Sequence, residues 1–531
     1  MKLKKTILHT LFIIAIAMQL LFSSHLTYAS DNEIQNITLY GSGTEDEPYL
    51  ISTVNDLKLI RNDTAACYKL INDIEFDSDD QWELIDDFSG ELDGEGFSII
   101  GLNLDVDVDS KNISDVYYGM FKKNNGVIHN IKIVNSEMTV RERSLFAGQT
   151  GYGYIGVLAG FNSGNINNII VENAKIVSFE GEGYRGVHIG IVTGCSNGTL
   201  ENIGIRNSDV SYKGGSSLCL GGIAGGGRVI SECYVSGGSI IAESDSDYTM
   251  YVGGIVGEIG KEITDCYNTS NISISGRESN MHGNFVGGIA GRAYGAERVI
   301  RCLSLGELKG DGYIRENIAA ITTGYSGVIQ DCYYADDIIE NVDYTSDTRG
   351  IPLKREFFAD KTNLEKLDFN GVWVIDTDSG IPYPQLYNNM ESETESVSLT
   401  DERNIFEIFQ GEDFTLEDST IAVTYKNGNT GFIKVEQYML SDYDNSIIGE
   451  QNVFISYGNS RCPLILRVKE IEVSDISFET NSLIMNLGTQ YFLNVNILPD
   501  NATNKMVDWT SSDSSIVDVD ENGTIKAKKE G

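Results

Sequence analysis

Apolar positions in this chain recur on two ladders rather than on helical faces. The first ladder is a glycine-bounded apolar box: Gly156-Val-Leu-Ala-Gly160, Gly190-Ile-Val-Thr-Gly194, Gly221-Gly-Ile-Ala-Gly225, Gly253-Gly-Ile-Val-Gly257, Gly287-Gly-Ile-Ala-Gly291 and a degraded Ala319-Ala-Ile-Thr-Thr-Gly324. Their final glycines lie 34, 31, 32, 34 and 33 residues apart. The second ladder holds Leu102, Ile131, Ile169, Ile203, Cys233, Cys266, Cys302 and Cys332. Three residues before each stands another apolar side chain: Ile99, Ile128, Ile166, Leu200, Ile230, Ile263, Val299 and Ile329. A unit of this length also suits paired-helix repeats, but glycine pairs and β-branched runs such as Ile169-Ile170-Val171 are poor helix material. Each repeat therefore predicts one coil of an all-β, right-handed parallel β-helix, with the second ladder pointing inward. Eight stacked rungs give a rod about 38 Å long.

The residue ahead of each rung from the second onward is Asn130, Asn168, Asn202, Glu232, Asp265, Arg301 or Asp331. Asn and Asp tolerate tight bends, so these are read as turn residues. The box glycines fit either a close approach of neighbouring coils or a positive φ. Solenoid ends expose strand edges and need caps. Thr53-Val54-Asn55-Asp56 starts a short helix over 53–62 with Leu57 and Ile60 on one face. Leu353 to Asp368, with Phe357, Leu364 and Leu367 at helical spacing, is expected to close the far end.

The boxes resemble the GLUG motif of bacterial surface and extracellular proteins, from residue 41 to about 387. Gly41-Ser-Gly-Thr-Glu-Asp-Glu-Pro48-Tyr49-Leu50-Ile51-Ser52 is similar to the usual entry segment of such regions. The resemblance implies an exported β-helical repeat region with a role in binding and display and no shared reaction. Past an acidic linker at Glu391 to Ser396, strand-like runs replace the boxes. Residues 397–469, with Asn427-Gly428 as a hairpin signal, resemble a group 3 bacterial immunoglobulin-like domain. From residue 471, Leu498-Pro499-Asp500, Trp509-Thr-Ser-Ser512 and Asn522-Gly523 resemble the group 2 domain. The expected domains are 1–30 (export signal), 31–390 (capped β-helix), 391–470 and 471–531 (immunoglobulin-like β-sandwich modules). The last module stops where one more strand is expected, so the sequence is read as a fragment of a longer protein.

Composition narrows the function. A net charge of −39 from 78 acidic and 39 basic residues disfavours nucleic acid and anionic membranes as partners. Lys2, Lys4 and Lys5, the apolar run Leu11 to Phe22 and Thr27-Tyr28-Ala29 read as a cleaved secretory signal. The expected location is therefore secreted or cell-surface, with no membrane insertion of the mature chain. Leu498-Pro499-Asp500-Asn501-Ala502 lacks the rest of a sortase signal and is not read as an anchor. Asp105, Asp107 and Asp109 are spaced like a calcium loop, but Ser110 and Val116 stand where glycine and glutamate are required. Alternation with Leu104, Val106 and Val108 instead gives a strand with its acids outward. Met281-His282-Gly283 is an isolated fragment of the polygalacturonase pattern, and no hydrolase or phosphate-loop motif accompanies it.

Eight cysteines in an exported chain invite a disulfide reading. Cys233, Cys266, Cys302 and Cys332 nevertheless occupy a column filled by leucine and isoleucine earlier, which explains them as buried thiols; bonds between adjacent coils remain the alternative. The function expected is a non-enzymatic binding and display rod on an immunoglobulin-like stalk, without cofactors and with an extracellular ligand, glycan or host protein. The longest inter-repeat loops put Arg141, Arg143, Phe146, Tyr152, Arg277 and His282 on one side as the candidate binding face. The competing readings are a β-helical carbohydrate-active enzyme and the non-catalytic front part of a larger exported enzyme. Three or more carboxylates and an arginine converging in one groove would favour the enzyme.

Overall fold

The computed structural model describes residues 39–108, 115–142, 151–180, 186–244, 248–276, 283–293, 295–310, 318–324, 327–339, 350–401, 403–416 and 418–531. The expected export signal at 1–30 lies outside them. The chain is all-β. Its repeat region winds as a parallel solenoid in which Tyr152–Ile155, Gly186–Gly190, Ser217–Gly221, Met250–Gly253, Phe285–Gly287 and Ile318–Ala319 belong to one seven-stranded parallel sheet. The remaining segments of each coil stack into a second, continuous parallel sheet.

Both sequence ladders are columns of this solenoid. Leu92, Ile128, Ile166, Leu200, Ile230, Ile263, Val299 and Ile329 pair rung to rung. Ile131, Ile169 and Ile203 stack in register, and the four ladder cysteines continue inward, buried and unbonded. The turn assignment holds: Asn130, Asn168, Asn202, Glu232, Asp265, Arg301 and Asp331 all adopt φ between +50° and +56°. Asparagine side chains also bond along the rod, Asn168 Nδ2 to Asn130 Oδ1 at 3.0 Å and Asn202 Nδ2 to Asn168 Oδ1 at 2.6 Å.

Leu102 is a correction. It is buried, but Asn103 pairs with Glu137 and Ile99 with Ile133, so neither Leu102 nor Ile99 belongs to the columns assigned to it. In the first coil the bend falls at Glu95 and Gly96, and the Phe97 carbonyl accepts from Lys132 N–H. Ile99 and Leu102, an apolar pair three residues apart, stand beyond that bend and imitate the rung.

The box glycines answer to close approach, because none of those bounding the boxes from residue 156 to residue 291 has positive φ. A Cβ on Gly160 would meet the Tyr118 nitrogen at 2.7 Å, and one on Gly257 or Gly291 the nitrogen of Leu220 or Val252 at 2.5 Å. Each box thus folds the coil sharply, bringing two strands close enough that their outward side chains face each other.

At the front, Thr53 and Asp56 form a capping box over Val54–Lys58, and Leu57 and Ile60 are buried. The far end differs from expectation. Ile351–Leu353 adds one rung on Tyr333–Ala335, and two short 3-10 turns, Arg355–Ala359 and Lys361–Asn363, replace the helix. Asp360 caps the second turn by accepting from Thr362 N–H; Phe358 is buried and Phe357 is left 44% exposed. Leu364 and Leu367 are buried as expected. The chain then returns along the flank as a strap: Trp373 Nε1 donates to Asp265 Oδ1 at 2.9 Å, and Asn389 Nδ2 to the Asn202 carbonyl at 3.2 Å.

The strap leads into a β-sandwich. Thr394–Leu399, Thr420–Tyr425 and Thr430–Lys434 form one sheet; Ile405–Phe409, Ser460–Lys469 and Gly449–Tyr457 form the other. Val397, Ile421, Val423, Val453, Ile455, Leu464 and Leu466 fill the space between them. The Asn427-Gly428 turn is present, with Gly428 at φ +87°. The following module carries Asp475–Phe478 paired with Val495–Leu498, and Gln490–Phe492 with Thr524–Ala527 and Val517–Val519.

Candidate functional site

The solenoid flank, the strap and the first sandwich enclose a groove of about 1160 Å³, slightly larger than the usual small-molecule site. Its floor is a charged joint. Glu393, expected in a solvated linker, receives Arg206 at 2.9 Å, Lys132 at 3.1 Å and Lys426 at 2.6 Å, joining solenoid and sandwich. Burial would raise its carboxyl, but hydrogen bonds from Lys426 and Lys132 together with the neighbouring cations bring it down to about 2. Arg206 is buried and saturated, donating also to Tyr234 Oη at 2.6 Å and to the Met390 carbonyl at 2.7 Å. Glu391 accepts from Tyr383 Oη at 3.0 Å. From the other side Tyr425 and Tyr457 hydroxyls donate to the buried Asp376 of the strap.

Asp73, Glu95, Glu201, Glu232 and Glu393 line the groove with Arg206. Most are already employed. Asp73 accepts from Ser98 N–H, Glu95 pairs with Lys69, and Arg206, Lys132 and Lys426 are held by Glu393. Glu201 and Glu232 remain, on adjacent coils. Burial, and after it the charges of Glu201 and Asp265, pushes the Glu232 carboxyl up, against a hydrogen bond from Asn388.

A second feature lies where the boxes fold the coil. Tyr117, Tyr154, His188, Cys219, Tyr251 and Phe285 occupy one register column. They face Lys123, Phe161, Cys195, Gly226, Glu258 and Arg292 on the next strand of each coil. Tyr117 stacks on Tyr154 at 5.1 Å and Tyr154 on His188 at 5.2 Å; Tyr251 stacks on Phe285 at 5.4 Å. Arg292 donates to Tyr251 Oη at 2.8 Å and pairs with Glu258 at 3.4 Å. Burial lowers the His188 imidazole to about 4 and raises the Cys195 thiol to about 12.

Of the expected binding face, Arg141 pairs with Asp105, and Tyr152 sits against Tyr154 and His188, with ring centroids 6.3 and 5.8 Å apart. Arg143, Phe146, Arg277 and His282 lie outside the described residues. Asp105 is in a strand paired with that of Arg141, as the alternation implied. Sequence reasoning missed Arg206 and Glu393, whose partners are 187 residues apart. It also missed the aromatic column, although each member from Tyr154 to Phe285 stands two residues before the first glycine of a box.

Comparisons with known proteins bear on the C-terminal part most directly. The chain is 27% identical over 175 residues to Halomucin of Haloquadratum walsbyi, covering 30% of this chain and 2% of that protein. It is 38% identical over 101 residues to an uncharacterized protein of Clostridium acetobutylicum (17% of this chain, 22% of that one). It is 29% identical over 145 residues to a putative Gly-rich membrane protein of Evansella cellulosilytica (25% and 15%). The chain thus spans under a quarter of the length of each of these relatives. A solved structure of IgA1 Protease covers 83% of this chain and 35% of its own, at 12% identity and a TM-score of 0.33. Residues 407–468 match the bacterial Ig-like domain (group 3) and residues 472–531 the bacterial Ig-like domain (group 2).

Proposed function

We propose that this chain is an exported or surface-attached bacterial binding protein, whose solenoid presents a ligand groove and whose Ig-like modules carry it. The bacterial Ig-like modules support the location, as do the signal-like residues 1–30 and the resemblance of the boxes to the GLUG motif. The observation that carries the binding reading is the state of the groove's charges. Its cations are consumed by Glu393, and what faces the opening is an amide column with carboxylate oxygens on either side. Such a wall suits a ligand rich in hydrogen-bond donors and poor in negative charge, a neutral polysaccharide above all. The test is retention of the full chain on immobilised neutral and anionic polysaccharides, with and without the substitution Asn168→Ala. Retention on a neutral polymer, weakened at least tenfold by N168A, is expected; equal retention of both proteins refutes the groove.

A second reading is favoured by the Glu201 and Glu232 pair. One half-buried carboxyl raised beside another on the adjacent coil is the asymmetry acid–base hydrolysis uses. It predicts release of reducing ends from a polysaccharide, abolished by Glu232→Gln.

A further inference from the structure

At the middle of the coil corner both walls shrink at once. The aromatic column is interrupted by Cys219 between His188 and Tyr251, and the opposing column by Gly226 between Cys195 and Glu258. A Cβ built on Gly226 would stand 3.2 Å from Cys195 Sγ and 3.3 Å from His188 Nδ1. The thiol and the imidazole nitrogen therefore border the same gap, the one left by the missing side chain. His188 Nδ1 is buried and has no hydrogen-bond partner, a state that folded proteins ordinarily avoid. Cys219 Sγ lies on the next rung, buried, 3.8 Å from Glu258 Oε2.

We propose that His188 Nδ1 and Cys195 Sγ, with Cys219 Sγ beside them, bind a soft monovalent cation: Cu+, or Ag+ as its redox-inert counterpart. Thiolate and imidazole are the donors such ions prefer, whereas hard cations require several oxygens. Among the described residues no point gathers three or more His, Cys, Asp or Glu groups placed for a metal ion, so the ligands proposed are His188 and Cys195, with Cys219 a neighbour and not a third ligand. Binding exchanges the Cys195 S–H proton, released to solvent, for the cation, so the buried corner gains no net charge. The stacked Tyr154 ring shields His188 on one side. The site shares no residue with the groove between solenoid and sandwich, and stands or falls separately from it.

The experiment is an anaerobic titration of the reduced full chain with Ag+, then with Cu+ against a competing Cu+ chelator, followed by X-ray absorption of the one-equivalent complex. The expected first shell is mixed, with one imidazole nitrogen and one sulfur, and His188→Asn weakens the first equivalent at least tenfold. Cys195→Ser should do the same, and H188N, which alters no thiol, carries the test if C195S fails to fold. A sulfur-only shell unchanged by H188N would place the ion on the Cys233, Cys266, Cys302 and Cys332 stack and overturn the proposal. So would a first equivalent bound with the parent affinity by both variants.

Discussion

Glu393→Gln is the sharpest probe of how solenoid and sandwich are joined. The substitution keeps shape and removes the charge facing Lys132, Lys426 and Arg206, of which the Arg206 side chain is only 8% exposed. The Glu393 carboxyl is lowered from 4.5 to about 2, and each unit corresponds to about 1.4 kcal/mol. Its favourable interactions thus amount to about 3 kcal/mol, similar to the 3–5 kcal/mol typical when one partner of a buried pair is removed. Trp373 lies in the strap beside Asp265, so in a chain with Trp82 and Trp509 replaced by phenylalanine its fluorescence during urea unfolding reports the joint. E393Q should lower the stability of that transition by about 3 kcal/mol, and Arg206→Met combined with E393Q should cost less than the two changes separately. A depressed carboxyl stabilises above its unfolded value, so the parent should lose this contribution as pH falls from about 4.5 toward 2, and E393Q should not. An E393Q transition within about 0.5 kcal/mol of the parent would refute the reasoning.

Other outcomes are equally specific. Gly257→Ala places a methyl 2.5 Å from the Leu220 nitrogen and 2.6 Å from the Gly225 carbonyl oxygen; thermal melting should show a loss of about 3 kcal/mol or more, since backbone on both sides must move. Thiol counting under denaturing, non-reducing conditions should recover all eight cysteines, and two or fewer would reverse the reading of the cysteine column. His188 is held neutral down to about 4 against 6.5 when exposed, so its contribution to stability should fall by up to about 3 kcal/mol as pH drops between those values and be constant above them. The variant H188N should lose that slope, as denaturation series at pH 7 and pH 4 would show.

The solenoid was legible because each coil repeats the same physical demands at the same offsets. A left-handed bend calls for Asn, Asp or a tolerated substitute, a fold between strands calls for glycine, and an inward rung calls for an apolar side chain. The first coil misled because a chance apolar pair, Ile99 and Leu102, copied the rung spacing while the true bend at Glu95 and Gly96 carries no asparagine. The closing cap misled because helical spacing at Phe357 and Leu364 says nothing of Asp360, whose side chain starts a separate short turn by capping it. Glu393 looked like linker because its value depends on cations brought from distant sequence, Lys132 and Arg206, which no local pattern connects to it. The metal-like corner was hidden for the same reason: His188, Cys195 and Gly226 lie on three different strand segments.

The central claim, a binding groove without turnover, comes down to the fate of a neutral polysaccharide incubated with the full chain. The account predicts that the polymer is retained on the protein and keeps its length, with no new reducing ends, and that N168A reduces retention. Shortening of the polymer by the parent, lost in Glu232→Gln, would contradict it and make the groove an active site.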